Sequence, residues 1–363
     1  MHMRACLSPI SFLLRRPFLP SRPVRLWPST VLRAPWYRHY GVFPYVPRAP
    51  DLGTMTTEPP QAADLPPAVP LMAEHILSHL PPAPRTEPLF VLLQGPQGSG
   101  KTFLCTALAG VLRAPPNDLK VAVLSIDDLY LPHAGLQKVA KQYASNPLLT
   151  GRGQPGTHDL DLGVGLFRQL KRAKPHNTTI LPVFDKSLFG GEGDRSFEGV
   201  PVFGGVDVVL VEGWCTGFYP LSDEELERRF AAYKEWEGPG IPEHRLEDVR
   251  QINQFLKVYA SEWWPAFRVF VQIAPEDIKY VHQWRLQQEH NMKAKNGGKG
   301  MTDEQVKAFV DRYLPGYYYF SDGVAHGHNV PPKDGEVATT PWAGRGLRVV
   351  IDRGRNVVRS ETF

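Results

Sequence analysis

Residues 95-GPQGSGKT-102 follow directly on the apolar run 89-LFVLL-93 and Gln94, and lead straight into 102-TFLCTALAGVL-112. A short apolar run ending at a glycine turn predicts a strand buried on both faces. The second run is long enough for a helix, and Pro115 and Pro116 stop it. Between the two, Gly95, Gly100, Lys101 and Thr102 match the phosphate-loop spacing G-x-x-x-x-G-K-[ST] without a gap. Glycines let the chain turn so that successive N–H groups point inward, and the start of the following helix adds its own amides. The predicted cradle is Gly95, Pro96, Gln97, Gly98, Ser99, Gly100, Lys101, Thr102 and Phe103. Lys101 would reach the outer phosphates of a nucleoside triphosphate, and Thr102 would place its hydroxyl on Mg²⁺.

The rest of the body alternates in the same way. Strands are predicted at 121-VAVLSI-126, 179-TILPVF-184, 206-VDVVLVEG-213, 267-FRVFVQI-273 and 347-LRVVID-352, with helices over 160–172, 222–236, 246–260, 275–290 and 303–313. Such alternation implies an α/β fold: a mostly parallel sheet with helices on both faces. Trp263, Trp264 and 317-YYYF-320 read as packing. The Gly/Pro-rich stretch 321–346 reads as a surface excursion, and 190-GGEG-193 and 297-GGKG-300 read as loops.

Carboxylates stand where open α/β sheets bind ligands, just past strand ends. Asp127 and Asp128 in 125-SIDDLY-130 follow the second strand. Either could take a proton from an acceptor hydroxyl or help hold Mg²⁺, with Asp127 favoured because it comes first; a pair of turn or capping aspartates is the plainer alternative. Glu212 closes the run VDVVLV, four apolar residues and then an acid, as a metal-orienting carboxylate does. Three further segments carry charge in glycine-bearing surroundings. In 151-GRGQPGTHDL-160, Arg152, His158 and Asp159 suit a small, acidic, hydroxylated acceptor, or else a capped helix entry. In 185-DKSLFGGEGDR-195, Lys186 and Arg195 would neutralise an anionic substrate, or form surface ion pairs. In 284-WRLQQEHNMKAKNGGKGMT-302, Arg285 and Lys293 would close over the phosphates and exclude water, or form a basic helix face. His326 and His328 lack a third ligand for a metal.

With these segments in hand, the chain resembles the eukaryotic glycerate kinase-like P-loop kinases, the plant D-glycerate 3-kinase and its fungal homologues among them, which group with phosphoribulokinase, uridine kinase and pantothenate kinase. The resemblance covers roughly residues 70–363 and rests on GPQGSGKT, SIDDLYLPH, GRGQPGTHD, FDKSLFGGEGDR, VLVEGW, WRLQQEHNM and GMTDEQVKAFVDRYLPGYYYF, in that order. It implies a P-loop NTPase fold with a lid, and ATP- and Mg²⁺-dependent phosphorylation of a small-molecule hydroxyl, with D-glycerate the leading acceptor. The alternatives are another acceptor (a nucleoside, pantothenate or a sugar) or an NTP-dependent regulatory protein. In the first reading Lys101, Asp127, Glu212 and Arg285 are catalytic. Thr102, Asp127 and Glu212 hold the metal. Asp128, Arg152, His158, Asp159, Lys186 and Arg195 bind the acceptor. The extended Gly/Pro stretch at 323–346 departs from the family pattern.

The remaining composition sets bounds. Formal net charge is +4 over 363 residues, but the first 50 hold eight Arg and no Lys, Asp or Glu. Without them 33 basic side chains face 37 acidic ones, so the body is mildly acidic and nucleic acid is not an expected partner. Residues 1–54 have transit-peptide composition or form a disordered basic leader; 55–70 read as a Pro-rich linker and 71–363 as the catalytic domain. A mitochondrial location is expected if the leader is translated, and a cytoplasmic one if translation starts at Met55. Three scattered cysteines argue for a reducing compartment and against a disulfide framework or a zinc site, and no apolar run approaches the roughly 20 residues that span a bilayer. No obligate protein partner is expected.

Overall fold

The computed structural model describes residues 65–233, 243–295, 297, 298, 300–331 and 337–363. The leader 1–54, the linker up to residue 64 and the end of the helix predicted over 222–236 lie outside the described residues. In chain order the elements are α1 (Ala68–Ser78), β1 (Leu89–Gln94), α2 (Lys101–Arg113), β2 (Val121–Ser125), α3 (His133–Gln142), α4 (Leu160–Arg172), β3 (Thr178–Leu181), β4 (Phe184–Asp185), β5 (Asp194–Arg195) and β6 (Val200–Phe203). They continue with β7 (Val208–Gly213), α5 (Asp223–Tyr233), α6 (Leu246–Glu262), β8 (Val269–Pro275), α7 (Tyr280–Lys295), α8 (Asp303–Asp311), α9 (Leu314–Phe320), α10 (Gly323–His326), β9 (Gly346–Ile351) and β10 (Val357–Thr362).

Six strands form the central sheet in the order β10-β9-β8-β1-β7-β2. All neighbours pair in parallel except β10, which runs antiparallel to β9. β1 and β7 are buried along their whole length, as their unbroken apolar runs require of strands covered on both faces. Register decides the rest: Glu212 on β7 lies opposite Leu93 on β1 and Ser125 on β2. The carboxyl ends of these three strands therefore finish level, and the loops that leave them meet at one edge. Among the described residues no helix is long and apolar enough to cross a membrane.

Four expectations need correction. The strand predicted at 179–184 is not in the central sheet. β3 pairs with β6 as a separate antiparallel ribbon, and β4 pairs with β5 as another. Pro182, with no N–H to donate, breaks the run, and the alternating exposure of β3 marks a strand covered on one face only. β10 was not predicted: Val357–Thr362 is polar and mostly exposed, as an edge strand tends to be. Helix α1 begins at Ala68, inside the stretch read as linker, and buries Val69, Met72 and Ile76. Finally, 321–346 is more than a surface excursion. Trp342 is fully buried, donates Nε1–H to Val324 O at 2.8 Å and stacks on Phe270 at 4.7 Å. Trp263, Trp264, Tyr317, Tyr319 and Phe320 are buried in the core as expected.

Candidate active site

The phosphate loop turns through Gly98 and Gly100, both in the left-handed region at φ 75° and 86°. Gly98 could carry no side chain, since a Cβ there would come within 2.6 Å of Trp284 Cβ on α7. Outer amides of the loop are committed: Gly95 N–H donates to Gly213 O, Ser99 N–H to Pro96 O and Gln97 N–H to the Tyr317 hydroxyl. Among the described residues, the N–H groups of Gly98, Gly100, Lys101, Thr102 and Phe103 have no hydrogen-bond acceptor. Free amides clustered at the start of a helix form a concentrated anion site. Phe103 contributes only its amide to this cluster, for its ring is 66 % exposed.

Glu212 faces this cluster from β7. Its Oε1 accepts from the Thr102 hydroxyl at 3.0 Å, and Lys101 Nζ lies 3.9 Å from Oε2. Glu212 is 3 % exposed, and Oε2 has no hydrogen-bond partner. A buried carboxylate oxygen left without a donor is costly unless a cation or water completes it.

From β2 the chain enters a single 3₁₀ turn, Ile126–Leu129, capped by Ser125, whose side chain accepts from Asp127 N–H. The turn separates the two acids. Asp127 accepts from the Tyr130 hydroxyl at 2.9 Å and from Lys186 Nζ at 2.5 Å. Burial alone would raise its carboxyl, but Lys186 and Lys101 outweigh burial and hold it well below the usual carboxylate range. Asp128 instead accepts from Phe184 N–H at 3.0 Å, and burial followed by the charge on Asp127 pushes it up. Lys186 is the mirror case: burial would lower its ammonium, but the Asp127 carboxylate raises it.

The acceptor-side residues divide into two groups. Arg152 and Lys186 reach the rim. Arg152 Nη1 donates to Gly191 O and Glu192 O, and its guanidinium lies 5.8 Å from the Phe184 ring centre. His158, Asp159 and Arg195 form the support beneath. Asp159 caps α4 by accepting from Leu162 N–H, and its other oxygen accepts from Arg195 Nη2 at 3.0 Å. Arg195 also donates to Tyr130 O. His158 is 4 % exposed, stacks on Tyr130 at 4.5 Å and bonds Tyr259 through Nδ1 at 2.7 Å; burial pushes its imidazole down to about 4. In this structure these three hold Tyr130, and through it Asp127, while His158 Nε2 and Arg195 Nε are buried without a hydrogen-bond partner.

Arg285 has a structural partner set of its own: its guanidinium pairs with buried Glu289 at 2.8 Å and lies over Phe309 at 5.4 Å, so in this structure it braces α7 against α8. Lys293 likewise donates to Met301 O across the α7–α8 connection. Three partners escaped the sequence reading. Tyr130 could have been found, since three residues past Asp127 in a 3₁₀ turn places it on the same side. Tyr317 was read only as packing, and nothing in 352-DRGRN-356 pointed Arg355 at Gly98. A cavity of about 390 Å³ touches Pro96 and Tyr317, but Lys101, Thr102, Asp127 and Glu212 do not line it.

The site and fold find matches among known proteins. The solved D-glycerate 3-kinase of Cryptococcus neoformans is 43 % identical and superposes with a TM-score of 0.72, covering 82 % of this chain and 99 % of that one. A Saccharomyces cerevisiae protein described as "Probable ATP-dependent kinase TDA10" is 35 % identical over 284 residues, 76 % of this chain and 88 % of its own. The chloroplastic D-glycerate 3-kinase of Arabidopsis thaliana is 35 % identical over 274 residues, 75 % of this chain and 54 % of its own. No protein-family profile matches the chain.

Proposed function

Because this chain belongs to the glycerate kinase-like family of P-loop kinases, we propose that it transfers the terminal phosphoryl group of ATP to D-glycerate, giving 3-phosphoglycerate. It is a small-molecule kinase. The observation that carries the acceptor chemistry is the convergence of an ionised carboxylate, Asp127, and a mobile-stemmed cation, Lys186, at the sheet edge that also bears the free amides of the phosphate loop.

In this reading the amides of Gly98, Gly100, Lys101, Thr102 and Phe103 and the Lys101 ammonium bind the triphosphate. Asp127 accepts a hydrogen bond from the acceptor hydroxyl. As the bond from the terminal phosphorus to its leaving oxygen breaks and the new P–O bond forms, the hydroxyl proton passes to Asp127. A carboxylate held this low is a weak base in the ground state. That is acceptable where the transition state is loose and the proton leaves late, so Asp127 acts mainly by aligning the nucleophile. Arg152 and Lys186 supply positive charge for the carboxylate of a hydroxy acid, and the partly buried Asp159–Arg195 pair with buried Tyr130 keeps Asp127 in place.

Mg²⁺ fits the residues present. Thr102, Glu212 with its unpartnered Oε2, and Asp127 would hold it, directly or through water. Bound there, it would neutralise charge on the phosphates. Among the described residues no group of three or more His, Cys, Asp or Glu side chains is arranged to hold an ion without help, which suits an ion that arrives on the nucleotide.

The test is mass spectrometry of the products of D-glycerate, ATP and Mg²⁺. The expected product is 3-phosphoglycerate, with Lys101→Ala lowering kcat/KM by roughly 10²–10³-fold. Recovery of unmodified D-glycerate alongside ADP, or phosphorylation of a different alcohol in an acceptor panel, contradicts the assignment.

A further inference from the structure

We propose that Arg355, in the turn between β9 and β10, is a positioning residue for the nucleotide: it fixes one peptide plane of the phosphate loop and brings an acid-free positive charge to the polyphosphate. The inference rests on the kinase reading only in requiring that a nucleoside polyphosphate binds at residues 95–102.

The turn itself is tightly built. Asp352 and Asn356 exchange backbone and side-chain hydrogen bonds, and Arg355 N–H donates to Asp352 O. Arg355 sits at φ 69°, a left-handed conformation where glycine or asparagine would be at ease and a long side chain is disfavoured. The side chain uses that geometry to reach a loop 257 residues away. Its Nε donates to Gly98 O at 2.9 Å and its Nη1 to Gln287 Oε1 at 2.9 Å, while the guanidinium lies 5.4 Å over the Trp284 ring. Trp284 closes the circle by donating Nε1–H to Arg353 O at 2.7 Å. One guanidinium thus joins the phosphate loop, helix α7 and the β9–β10 turn.

Two consequences bear on the nucleotide. First, both ends of the Gly98–Ser99 peptide are fixed, the carbonyl by Arg355 and the amide by Pro96 O. A free carbonyl could rotate towards the nest and repel phosphate oxygens; here it is held away from the free amides of Gly100, Lys101 and Thr102. Second, among the described residues no carboxylate pairs with Arg355, and its Cδ lies 4.0 Å from where a Cβ on Gly100 would be, one residue before Lys101. With Nε and Nη1 committed to Gly98 O and Gln287, the half-buried guanidinium acts on the anion nest through its charge, which no acid neutralises.

The experiment is calorimetric titration of the full chain with Mg·ADP, without acceptor, for wild type, Arg355→Ala and Arg355→Lys, together with steady-state KM values for ATP and for D-glycerate. Arg355→Ala is expected to weaken Mg·ADP and raise KM for ATP by roughly 10–100-fold, with KM for D-glycerate within about twofold of wild type. Arg355→Lys is expected to recover only part, because a single ammonium cannot span Gly98 O and Gln287 Oε1 together. Mg·ADP affinity of a folded Arg355→Ala within about twofold of wild type overturns the proposal. Equal rises in both KM values alongside a lowered Tm also overturn it, since they mark a merely structural role. If Arg355→Ala does not fold, Arg355→Lys decides: wild-type affinity overturns the proposal and a several-fold loss supports it. Wild-type protein that binds no nucleotide would instead count against the kinase reading.

Discussion

Asp127 and Asp128 are adjacent and burial raises both, yet a single 3₁₀ turn gives them different neighbours: two ammonium groups outweigh burial at Asp127, while the charge on Asp127 adds to it at Asp128. The pair therefore divides into an ionised carboxylate facing the reaction and a higher-titrating one that anchors Phe184. Asp127→Asn is expected to lower kcat by roughly 10²–10⁴-fold with little change in KM for ATP, and Asp128→Asn to lower it far less. Equal losses from the two variants would reverse the assignment. The sequence placed both acids at the strand end and could only lean towards Asp127. What distinguishes them in the structure is Lys186, 59 residues away, which no local pattern connects to Asp127. His158 permits a separate test. Its imidazole titrates near 4 when folded and near 6.5 when unfolded, so between those values the unfolded chain binds more protons. Stability should therefore fall as pH drops from 6.5 towards 4, by up to about 3 kcal/mol from this group. Urea unfolding at pH 7 and pH 4.5 should show a smaller acid loss in His158→Phe than in wild type; identical losses would contradict the buried neutral imidazole.

Among the elements, β1, β7 and α2 were legible because an unbroken apolar strand, a glycine turn and an apolar helix leave little choice. α4 was predicted to the residue, Leu160–Arg172; its entry reads from sequence as either an acceptor-binding segment or a capped start, and the structure has Asp159 as the cap. The ribbons β3–β6 and β4–β5 were not separable from a buried strand, because 179-TILPVF-184 is apolar enough for either and only its partners distinguish them. α7 was read as a lid with Arg285 over the phosphates. In this structure the same turn of α7 also bears on the loop directly, where Trp284 packs against Gly98. Gly98→Ala should therefore strain the loop twice, through a φ of 75° and through contact with Trp284. A stability loss of roughly 1–3 kcal/mol and a marked loss of Mg·ADP affinity are expected. Wild-type melting and wild-type affinity in that variant would show that α7 does not press on the loop.

Across the whole molecule, net charge says little about the ligand. The body is close to neutral, while the reaction centre gathers Lys101, Lys186 and Arg152 around two carboxylates, Asp127 and Glu212. An anionic donor and an anionic acceptor can meet there because positive charge is concentrated at the one sheet edge where β1, β2 and β7 end level. Every proposed role depends on that edge joining two substrates, not merely binding one. The most direct measurement is the rate of ADP formation by the purified chain with ATP and Mg²⁺, with and without D-glycerate. The account predicts rapid, saturable ADP release that requires D-glycerate and is matched one-for-one by phosphoglycerate. ADP released at the same rate with D-glycerate omitted would contradict it.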